Sequence, residues 1–270
     1  MRILLQLLFA LLLAQGTWGA WAAVGATCTA QSKTADTSLT CTVGTENAEA
    51  GNVLFVWWSG DNTATVDGND GLLSSVTDSA SNTWVVDRCF TNAQGGAAAG
   101  ATTCIAHSKL TTQLTSGSGT ITTNYSSITA KGFVTKEFTI GAGNVVSITG
   151  TPGDLANDAA DPGSITISDP PNAEHLWVRS TGLERAAGGT WTVTLNFTTS
   201  GCNGTTGAGA ASNMEACGEF RIFTGSSLAS DPGGTAVDNA NTYIAFNEAA
   251  AATVTGVGWY GPTGFFKPEK

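Results

Sequence analysis

Short runs of strand-forming residues alternate with clusters of turn-forming residues along nearly the whole chain, and this pattern limits the fold more than any other feature. Thr alone outnumbers Asp, Glu, Lys and Arg combined, and there are 34 Gly. Thr and Val favour pleated, half-buried strands, whereas Gly, Asn, Asp and Pro favour turns. The pattern predicts strands near residues 39–43, 52–59, 72–77, 83–90, 102–110, 119–125, 131–140, 145–149, 164–168, 174–180, 190–198, 218–224 and 242–247.

Two of these runs indicate how the sheets pack. "TWTVTLNFT", residues 190–198, alternates apolar and polar side chains, which is typical of a sheet with one buried face. "NVLFVWWSG", residues 52–60, is apolar on both faces and predicts a central strand that is covered on both sides. We therefore expect an all-β fold, an antiparallel two-sheet β-sandwich of jelly-roll or Ig-like type, with about 12–13 strands.

Longer repeats are not evident in the chain. Repeats of roughly 20–50 residues would indicate a solenoid, and none is seen. Runs of the type Thr-x-Thr suggest an ice-binding ladder, but we expect that surface to need a fixed repeat, so the sequence does not predict one. Residues 150–164, "GTPGDLANDAADPGS", are interpreted as a long loop within one domain.

The N-terminal residues 1–22 have the features of a secretory signal peptide. Arg2 supplies a positive start, residues 3–14 form an apolar run, and Ala20-Trp21-Ala22 fits an A-x-A cleavage site. An uncleaved anchor or a buried helix is the competing interpretation, but the run is shorter than the roughly 20 apolar residues that span a bilayer. The sequence therefore predicts a secreted protein, extracellular or at the cell surface.

The remaining chain is expected to form one β-sandwich domain over residues 23–249, followed by a C-terminal extension over residues 250–270. The formal net charge is −10 and the sequence pI is near 4.4. Because no basic patch exists to release phosphate counterions, the composition argues against nucleic acid as a partner. It argues equally against attraction to an anionic membrane after signal cleavage.

Six cysteines fall into three close pairs in the sequence. Each pair brackets a turn-rich segment, so local pairing into disulfides is expected, although the sequence alone permits other pairings. Zinc is not predicted, because no C-x-x-C motif occurs and His107 lies far from His175 in the sequence. Disulfides predict an oxidising compartment. The expected pairs are Cys28 with Cys41, Cys89 with Cys104, and Cys202 with Cys217.

Catalytic motifs are not found. A serine hydrolase of the elbow type would need G-x-S-x-G, which does not occur. His107 is expected on the face of a predicted strand, and His175 is expected to face outward because its neighbours Leu176 and Val178 face the core. Glutamates are available for glycoside hydrolysis, but the sequence does not pair two of them across a cleft. We expect neither catalytic residues nor an enzyme.

Calcium is the one cofactor for which the sequence offers candidate ligands. The segment "GDLANDAADPG" gathers four oxygen-bearing side chains, and oxygen ligands at such density suit Ca²⁺. The interpretation that we favour is an acidic, hydrated loop, and the alternative is a calcium site. Its ligands would be Asp154, Asn157, Asp158 and Asp161.

Aromatic residues supply the candidate contact surfaces. Trp57 and Trp58 are adjacent in a predicted strand, so they point to opposite sides. One is expected in the core, and the other packs beneath a loop or forms a stacking platform for a sugar, so both are possible partner contacts. The C-terminal extension carries Trp259, Tyr260, Phe265 and Phe266, which pack on their own domain or dock on a neighbouring subunit.

Three asparagines stand in N-x-[ST] sequons and are candidates for glycosylation. They are Asn124, Asn196 and Asn203, of which Asn196 is predicted to face outward.

"LLSSVTDSASNTWVVDRCF", residues 72–90, is interpreted as a hairpin with its turn at residues 78–82. Asp and Asn fit such a turn because their short side chains bond to nearby backbone. A metal loop is the alternative, but one carboxylate is too few for a hard cation.

The same stretch resembles a loosely defined family of secreted and phage-encoded bacterial β-sandwich proteins of unassigned function. Its members often show "VTDSAGNTW" after an entry strand, and "VTDSASNTW" (76–84) and "GNVLFVWW" (51–58) match those pieces. The resemblance extends through "TCIAHSKLT" (103–111), "GTITTNYSSITAKGFVTKEFTIG" (119–141), "GSITISDPPNAEHLWV" (163–178) and "TYIAFNEA" (242–249), and so covers residues 50–249. It implies a sandwich fold and no catalytic residues. The chain departs from the family at Ser81, where Gly is usual, and in its paired cysteines.

These observations lead to one functional expectation and two alternatives. We expect a secreted, non-catalytic surface, adhesive or fibre-forming structural subunit that associates with itself or with a surface or glycan partner. A carbohydrate-binding module that uses an exposed tryptophan is the first alternative. A glycan-processing enzyme is the second.

Overall fold

The computed structural model describes residues 21–25, 27–61, 64, 66–68, 71–93, 100–207 and 213–250. These residues form strands and connecting turns, and every paired strand is antiparallel to its neighbour. Within this part of the chain, no helix long and apolar enough to cross a membrane occurs. The strands are β1 (Ala22–Val24), β2 (Thr29–Ser32), β3 (Asp36–Thr42), β4 (Val53–Asp61), β5 (Leu73–Asp78), β6 (Val85–Asn92), β7 (Ala101–Lys109), β8 (Thr120–Ile128), β9 (Lys131–Thr139), β10 (Asn144–Ala160), β11 (Ile165–Ile167), β12 (Ala173–Leu183), β13 (Trp191–Thr192), β14 (Thr198–Gly204), β15 (Glu215–Gly225), β16 (Leu228–Ser230), β17 (Gly233–Gly234) and β18 (Val237–Ala250).

Three main sheets contain most of these strands. The middle sheet has the order β1-β9-β4-β7-β6, and β2 also pairs with β9. The three-stranded sheet has the order β3-β8-β5, and the five-stranded sheet has the order β10-β18-β12-β15-β14. Two short pairs, β11 with β16 and β13 with β17, complete the pairing.

Strand β4 lies at the centre of the stack and is covered on both faces, as its apolar sequence predicts. Trp58 packs in a core with Leu39 and Tyr125, which belong to the three-stranded sheet. Trp57 packs in a second core with Leu176 and other residues of the five-stranded sheet. The predicted all-β antiparallel sandwich is confirmed, but the described residues form three main layers instead of two, with the middle sheet between the other two, and 18 strands instead of 12–13.

The outer face of the five-stranded sheet is also covered. Trp177 and Tyr243 form a third core with Ile167 of β11, Leu228 of β16 and Phe197. Large apolar groups on this face are therefore removed from water by the segments that follow β10 and β15. The same segments also enclose charged side chains such as Arg179 and Glu219.

One predicted strand and one predicted loop are wrong. Within residues 190–198 only Trp191–Thr192 and Thr198, the first residue of β14, are paired, because Leu195 and Asn196 have φ angles of 53° and 62° and turn the chain away from an extended path between them. Residues 150–160 of the predicted loop instead continue β10, which stays paired with β18 through two register shifts. The bulges let a Gly- and Asp-rich segment remain in the sheet.

All three predicted disulfides are present, and the described part of the chain contains no free cysteine. Cys28–Cys41 links the residue just before β2 of the middle sheet to β3 of the three-stranded sheet. Cys89–Cys104 joins β6 to β7, and Cys202–Cys217 joins β14 to β15. Each main sheet therefore takes part in a crosslink, which fits a protein of an oxidising, extracellular compartment.

The first and last strands of the described chain lie close to the predicted ends of the domain. Trp21 is buried against Phe138, with ring centroids 6.4 Å apart, and β1 begins at Ala22, so the predicted cleavage point after Ala22 falls inside an ordered strand. Residues 1–20 of the predicted signal peptide lie outside the described residues. At the other end β18 stops at Ala250, and the tail residues Trp259, Tyr260, Phe265 and Phe266 also lie outside them.

Candidate functional site

The predicted turn at residues 78–82 is confirmed, but it joins two sheets instead of forming a hairpin. Strand β5 pairs with β8 in the three-stranded sheet, whereas β6 pairs with β7 in the middle sheet. Asp78 Oδ1 accepts hydrogen bonds from the N–H groups of Ala80 (2.9 Å) and Asn82 (3.1 Å), and Asp78 Oδ2 accepts one from Trp84 Nε1 (2.7 Å). We call this connection, residues 78–84, the arch.

Asn82 ties the arch to the turn that follows β7. Its Oδ1 accepts from the N–H groups of Thr111 (2.8 Å) and Thr112 (2.9 Å), and its Nδ2 donates to the Thr112 carbonyl (2.9 Å). Within "VTDSASNTW", Asp78 and Asn82 are therefore structural residues that hold the arch by hydrogen bonds.

The four side chains proposed for calcium do not converge. Asp154 pairs through both oxygens with Arg88 Nε, at 2.8 and 2.9 Å. Asn157 Nδ2 donates to the backbone carbonyl of Asp161 (3.0 Å), and Asp158 Oδ1 accepts from Asn92 Nδ2 (3.2 Å). The alternative calcium site is therefore not assembled: Asp154, Asn157 and Asp158 lie in the paired strand β10 and bond in different directions, and no cluster of acidic ligands is found there among the described residues.

Another group of potential ligands lies at Cys202, Glu215 and Cys217. The two cysteines are joined in a disulfide, which removes their thiolates. Glu215 accepts from Arg185 Nε at 2.6 Å. This group is a structural crosslink beside an ion pair.

Trp57 and Trp58 were predicted as possible partner contacts, and this prediction is wrong because both are buried. Both side chains have 0% exposure because β4 is covered on both faces. Neither ring can stack on a ligand without unfolding a core. Among the described residues, the large exposed apolar side chains are aliphatic: Val66, Val85, Val145, Ile148 and Leu195.

The three sequon asparagines differ in exposure. Asn196 is exposed in the turn that replaces the predicted strand. Asn203 Nδ2 donates to the Ala30 carbonyl at 2.7 Å, so its amide bridges the five-stranded and middle sheets. Asn124 lies half-buried on β8, where its Nδ2 donates to Ser75 Oγ at 3.2 Å.

His107 and Asp87 form a buried pair between the middle and five-stranded sheets. The distance from His107 Nδ1 to Asp87 Oδ2 is 2.8 Å, and burial raises the pKa of Asp87. The His107 ring stacks on Phe55 at 5.6 Å and meets the edge of Phe246 at 5.5 Å. The imidazole is thus held by one carboxylate and two aromatic rings, an arrangement that supports packing.

His175 does lie on the opposite face from Leu176, as predicted, but it is buried beneath the segment that precedes β12. Its Nε2 donates to the Pro171 carbonyl at 2.8 Å, and its ring meets Trp177 edge-on. Sequence periodicity identified the correct face but could not show that a later segment covers it.

A buried charge cluster lies on that same covered face and was not predicted. Arg179 has 0% exposure and lies opposite Glu219 on β15. Its Nη1 donates to the carbonyls of Gly163 and Ser230, both at 2.9 Å, and its Nη2 donates to Asn241 Oδ1 at 2.8 Å. Burial lowers the pKa of Arg179 to about 10 and raises that of Glu219 to about 6.

Glu184 is a second buried carboxyl with a displaced pKa. It follows β12, and its Oε2 accepts from the N–H of Gly100, just before β7, at 2.8 Å. Burial, with the nearby charges of Asp238 and Asp61, raises its pKa to about 7. This carboxyl links the five-stranded sheet to the middle sheet.

The exposed surface of the three-stranded sheet is a different kind of candidate site. Nine of its outward side chains form three rows across β3, β8 and β5, and the last row is completed by Ser79, which follows β5. All nine are uncharged, and eight carry a hydroxyl group. We call this surface the hydroxyl face: Ser38, Asn124 and Ser75; Thr40, Thr122 and Thr77; Thr42, Thr120 and Ser79.

Side-chain bonds connect members of the hydroxyl face. Thr40 Oγ1 and Thr122 Oγ1 lie 2.8 Å apart across the strand pair, and Ser79 Oγ accepts from the N–H of Thr120 at 3.0 Å. The residues between them, such as Cys41 and Ile121, point into the core. Alternation within each strand was readable in the sequence, but the face depends on the register of three strands that are distant in the chain.

The chain matches no protein-family model, no curated protein and no solved structure. The resemblance to secreted and phage-encoded β-sandwich proteins therefore stays a prediction that rests on the motifs quoted above.

Proposed function

We propose that this protein is a secreted, non-catalytic structural subunit that adheres to a surface through the hydroxyl face. The observation that carries the proposal is the face itself, an uncharged array of exposed and half-buried side chains on a protein whose large aromatic side chains, within the described residues, are buried or half-buried. Most surfaces of soluble proteins mix charges of both signs, so nine neighbouring uncharged side chains on one sheet form an unusual patch.

The crosslinks support persistence outside the cell. Closing a loop of this length contributes about 3 kcal/mol for each disulfide in the chain-entropy model. The Cys28–Cys41 bond also holds the three-stranded sheet to the middle sheet, so it fixes the layer that carries the hydroxyl face. A surface fixed in this way loses little conformational freedom when it binds.

The buried ionisable groups support the non-catalytic part of the proposal. Arg179 is held by backbone carbonyls and Asn241, and His107 is held by Asp87 and aromatic rings. Groups fixed in this way stabilise the layers, whereas a catalytic group must reach a substrate.

Adhesion is tested by measuring retention of the purified, disulfide-bonded protein, expressed without N-glycosylation, on hydrated surfaces that include cellulose and chitin particles. The central change Thr122→Lys places a charge and a long side chain in the middle of the face and should reduce retention several-fold. Thr198→Lys is the matched control, because Thr198 is an exposed threonine on β14 in another sheet. Equal retention of the two variants and the unchanged protein would contradict the proposal.

If the subunit forms fibres, it must associate with other copies of itself. The C-terminal tail is the segment to test for this role. Deleting residues 251–270, while keeping β18 intact, should reduce particle size if the tail docks on a neighbouring copy. Light scattering and electron microscopy measure this directly. A monomer both with and without the tail would leave adhesion as the function and remove fibre formation.

A further inference from the structure

We propose that the ligand of the hydroxyl face is the ordered water of an ice surface. This inference rests on the proposed adhesive function and names the partner of the same face. The sequence lacks a repeat that would predict an ice-binding ladder, but strand pairing in the folded protein supplies the regularity that the sequence does not show.

The geometry of paired strands turns the nine side chains into a two-dimensional array. Neighbouring strands lie roughly 4.8 Å apart, and alternate residues on one strand lie roughly 6.8 Å apart. The register aligns Thr40 with Thr122 and Thr122 with Thr77, so the hydroxyl groups follow both directions of this array. The water oxygens of an ice face also repeat in two directions at distances of a few ångströms.

The chemistry of threonine fits this partner. A hydroxyl group both donates and accepts hydrogen bonds, as water does, and its methyl group contributes apolar contact area. The β-branched side chain restricts χ1, so little freedom is lost when the surface becomes ordered. The bond between Thr40 and Thr122 fixes these two hydroxyl groups further. A charged side chain would instead keep its own hydration shell, and none occurs among the nine.

Other partners fit the face less well. Sugar binding by a flat surface uses stacking on aromatic rings, and this face contains none. A protein interface uses buried aromatic, Met or Arg anchors at its centre, where this face has Thr122. An anionic or cationic polymer requires opposite charges. Ordered water is the remaining partner, because it is uncharged and both donates and accepts hydrogen bonds, as the hydroxyl groups of the face do.

Incorporation into slowly grown ice measures the interaction. The full chain is expressed without N-glycosylation, because a glycan on Asn124 would cover the centre of the face. We expect the unchanged protein to be enriched in the ice fraction and to slow recrystallisation of small ice crystals. Thr122→Lys should lose most of this effect, whereas Thr198→Lys should retain it. Melting curves verify that all three proteins are folded.

Two smaller substitutions test the chemistry of the array. Thr122→Val keeps the shape and removes the hydroxyl group, and Thr122→Ser keeps the hydroxyl group and removes the methyl group. Both should reduce incorporation to levels between those of the unchanged protein and Thr122→Lys. An unaltered level in both would overturn the role given to threonine.

The outcomes separate this inference from the adhesive function. Exclusion of the unchanged protein from ice, with retention on polymer particles that Thr122→Lys removes, would overturn the ice inference and keep adhesion. Loss of neither activity in Thr122→Lys would overturn both. A change of oligomer size in Thr122→Lys would show that the face contacts a second copy, which also overturns the inference.

Discussion

The arch and the buried charge cluster are both built from polar side chains, but their partners lie at very different distances along the chain. In the arch, Asp78 binds groups that are 2, 4 and 6 residues away. In the cluster, Arg179 binds groups that are 16, 51 and 62 residues away. The Asp78 contacts are complete within one short peptide, whereas the cluster forms only when three strands and a covering segment meet.

The two regions also differ in how completely their polar atoms are bonded. Both carboxylate oxygens of Asp78 accept hydrogen bonds. In the cluster, Glu219 Oε1 accepts from Ser230 Oγ, but Glu219 Oε2 and Arg179 Nε have no hydrogen-bond partner among the described residues. A buried charge that loses its counter-charge costs more than an exposed turn that loses a bond. The cluster should therefore be the more sensitive of the two regions.

The largest effect is expected for Arg179→Met. The change removes the positive charge opposite Glu219 and leaves several backbone carbonyls without a donor. Breaking a buried charge pair in this way typically costs about 3–5 kcal/mol. Urea unfolding of the disulfide-bonded protein measures the loss.

The double variant Arg179→Met/Glu219→Gln is the control for this prediction. It removes both charges, so it should recover part of the stability that the single variant loses. Additive losses in the two single variants would show that the charges are not coupled.

A smaller loss is expected for Asp78→Ala in the arch. The change removes acceptors for two backbone N–H groups and for Trp84 Nε1, and we expect a cost of about 2–3 kcal/mol in the free energy of unfolding. Thr77→Ala, at the exposed preceding residue, is the matched control and should change stability little. If both variants unfold at the same urea concentration, the arch does not stabilise the protein.

The contrast explains which parts of the fold were predictable from sequence. Turn chemistry at Asp78 and the double-sided apolar pattern of β4 are local, and both predictions are confirmed. The period-two pattern of residues 190–198 is equally local but wrong, because the left-handed conformations of Leu195 and Asn196 interrupt it. Alternation alone cannot show whether a partner strand is present.

Prediction of the candidate sites required more information about contacts between distant segments than prediction of the fold did. Four oxygen-bearing side chains in one segment suggested calcium, but Arg88, from a distant strand, neutralises Asp154. The hydroxyl face could not be predicted because it requires the register of β3, β8 and β5. The sequence shows the threonines of each strand, but it does not show which residues of the neighbouring strands lie beside them.

A pH effect of intermediate size is expected from the buried carboxyls. Glu219 and Glu184 have pKa values raised from 4.5 to about 6 and about 7, respectively, so the folded state favours their protonated forms. Their contribution to stability is complete below pH 4.5 and is lost as pH rises through these values. The protein should therefore become less stable between about pH 4.5 and pH 7.

Substitution of each glutamate by glutamine shows which carboxyl group causes which part of this pH dependence. Glu219→Gln should flatten the lower part of the stability profile, and Glu184→Gln the upper part, whatever each does to stability at a single pH. Unfolding free energies measured across the pH range give the slopes. Unaltered slopes in both variants would show that other groups cause the dependence.

The smallest effect is expected at Ser81 in the arch, and its sign is the informative part. Ser81 has a φ angle of 60°, a left-handed conformation that glycine adopts without strain, and Gly is usual here in the family that the motif resembles. Relief of strain outweighs the entropy that glycine adds to the unfolded chain, so Ser81→Gly should stabilise the protein by up to about 1 kcal/mol. Ala80→Gly has no such strain to relieve and should destabilise it. Thermal unfolding of the pair decides the point, because destabilisation in both would mean that the bonds of Asp78 hold the arch without strain at Ser81.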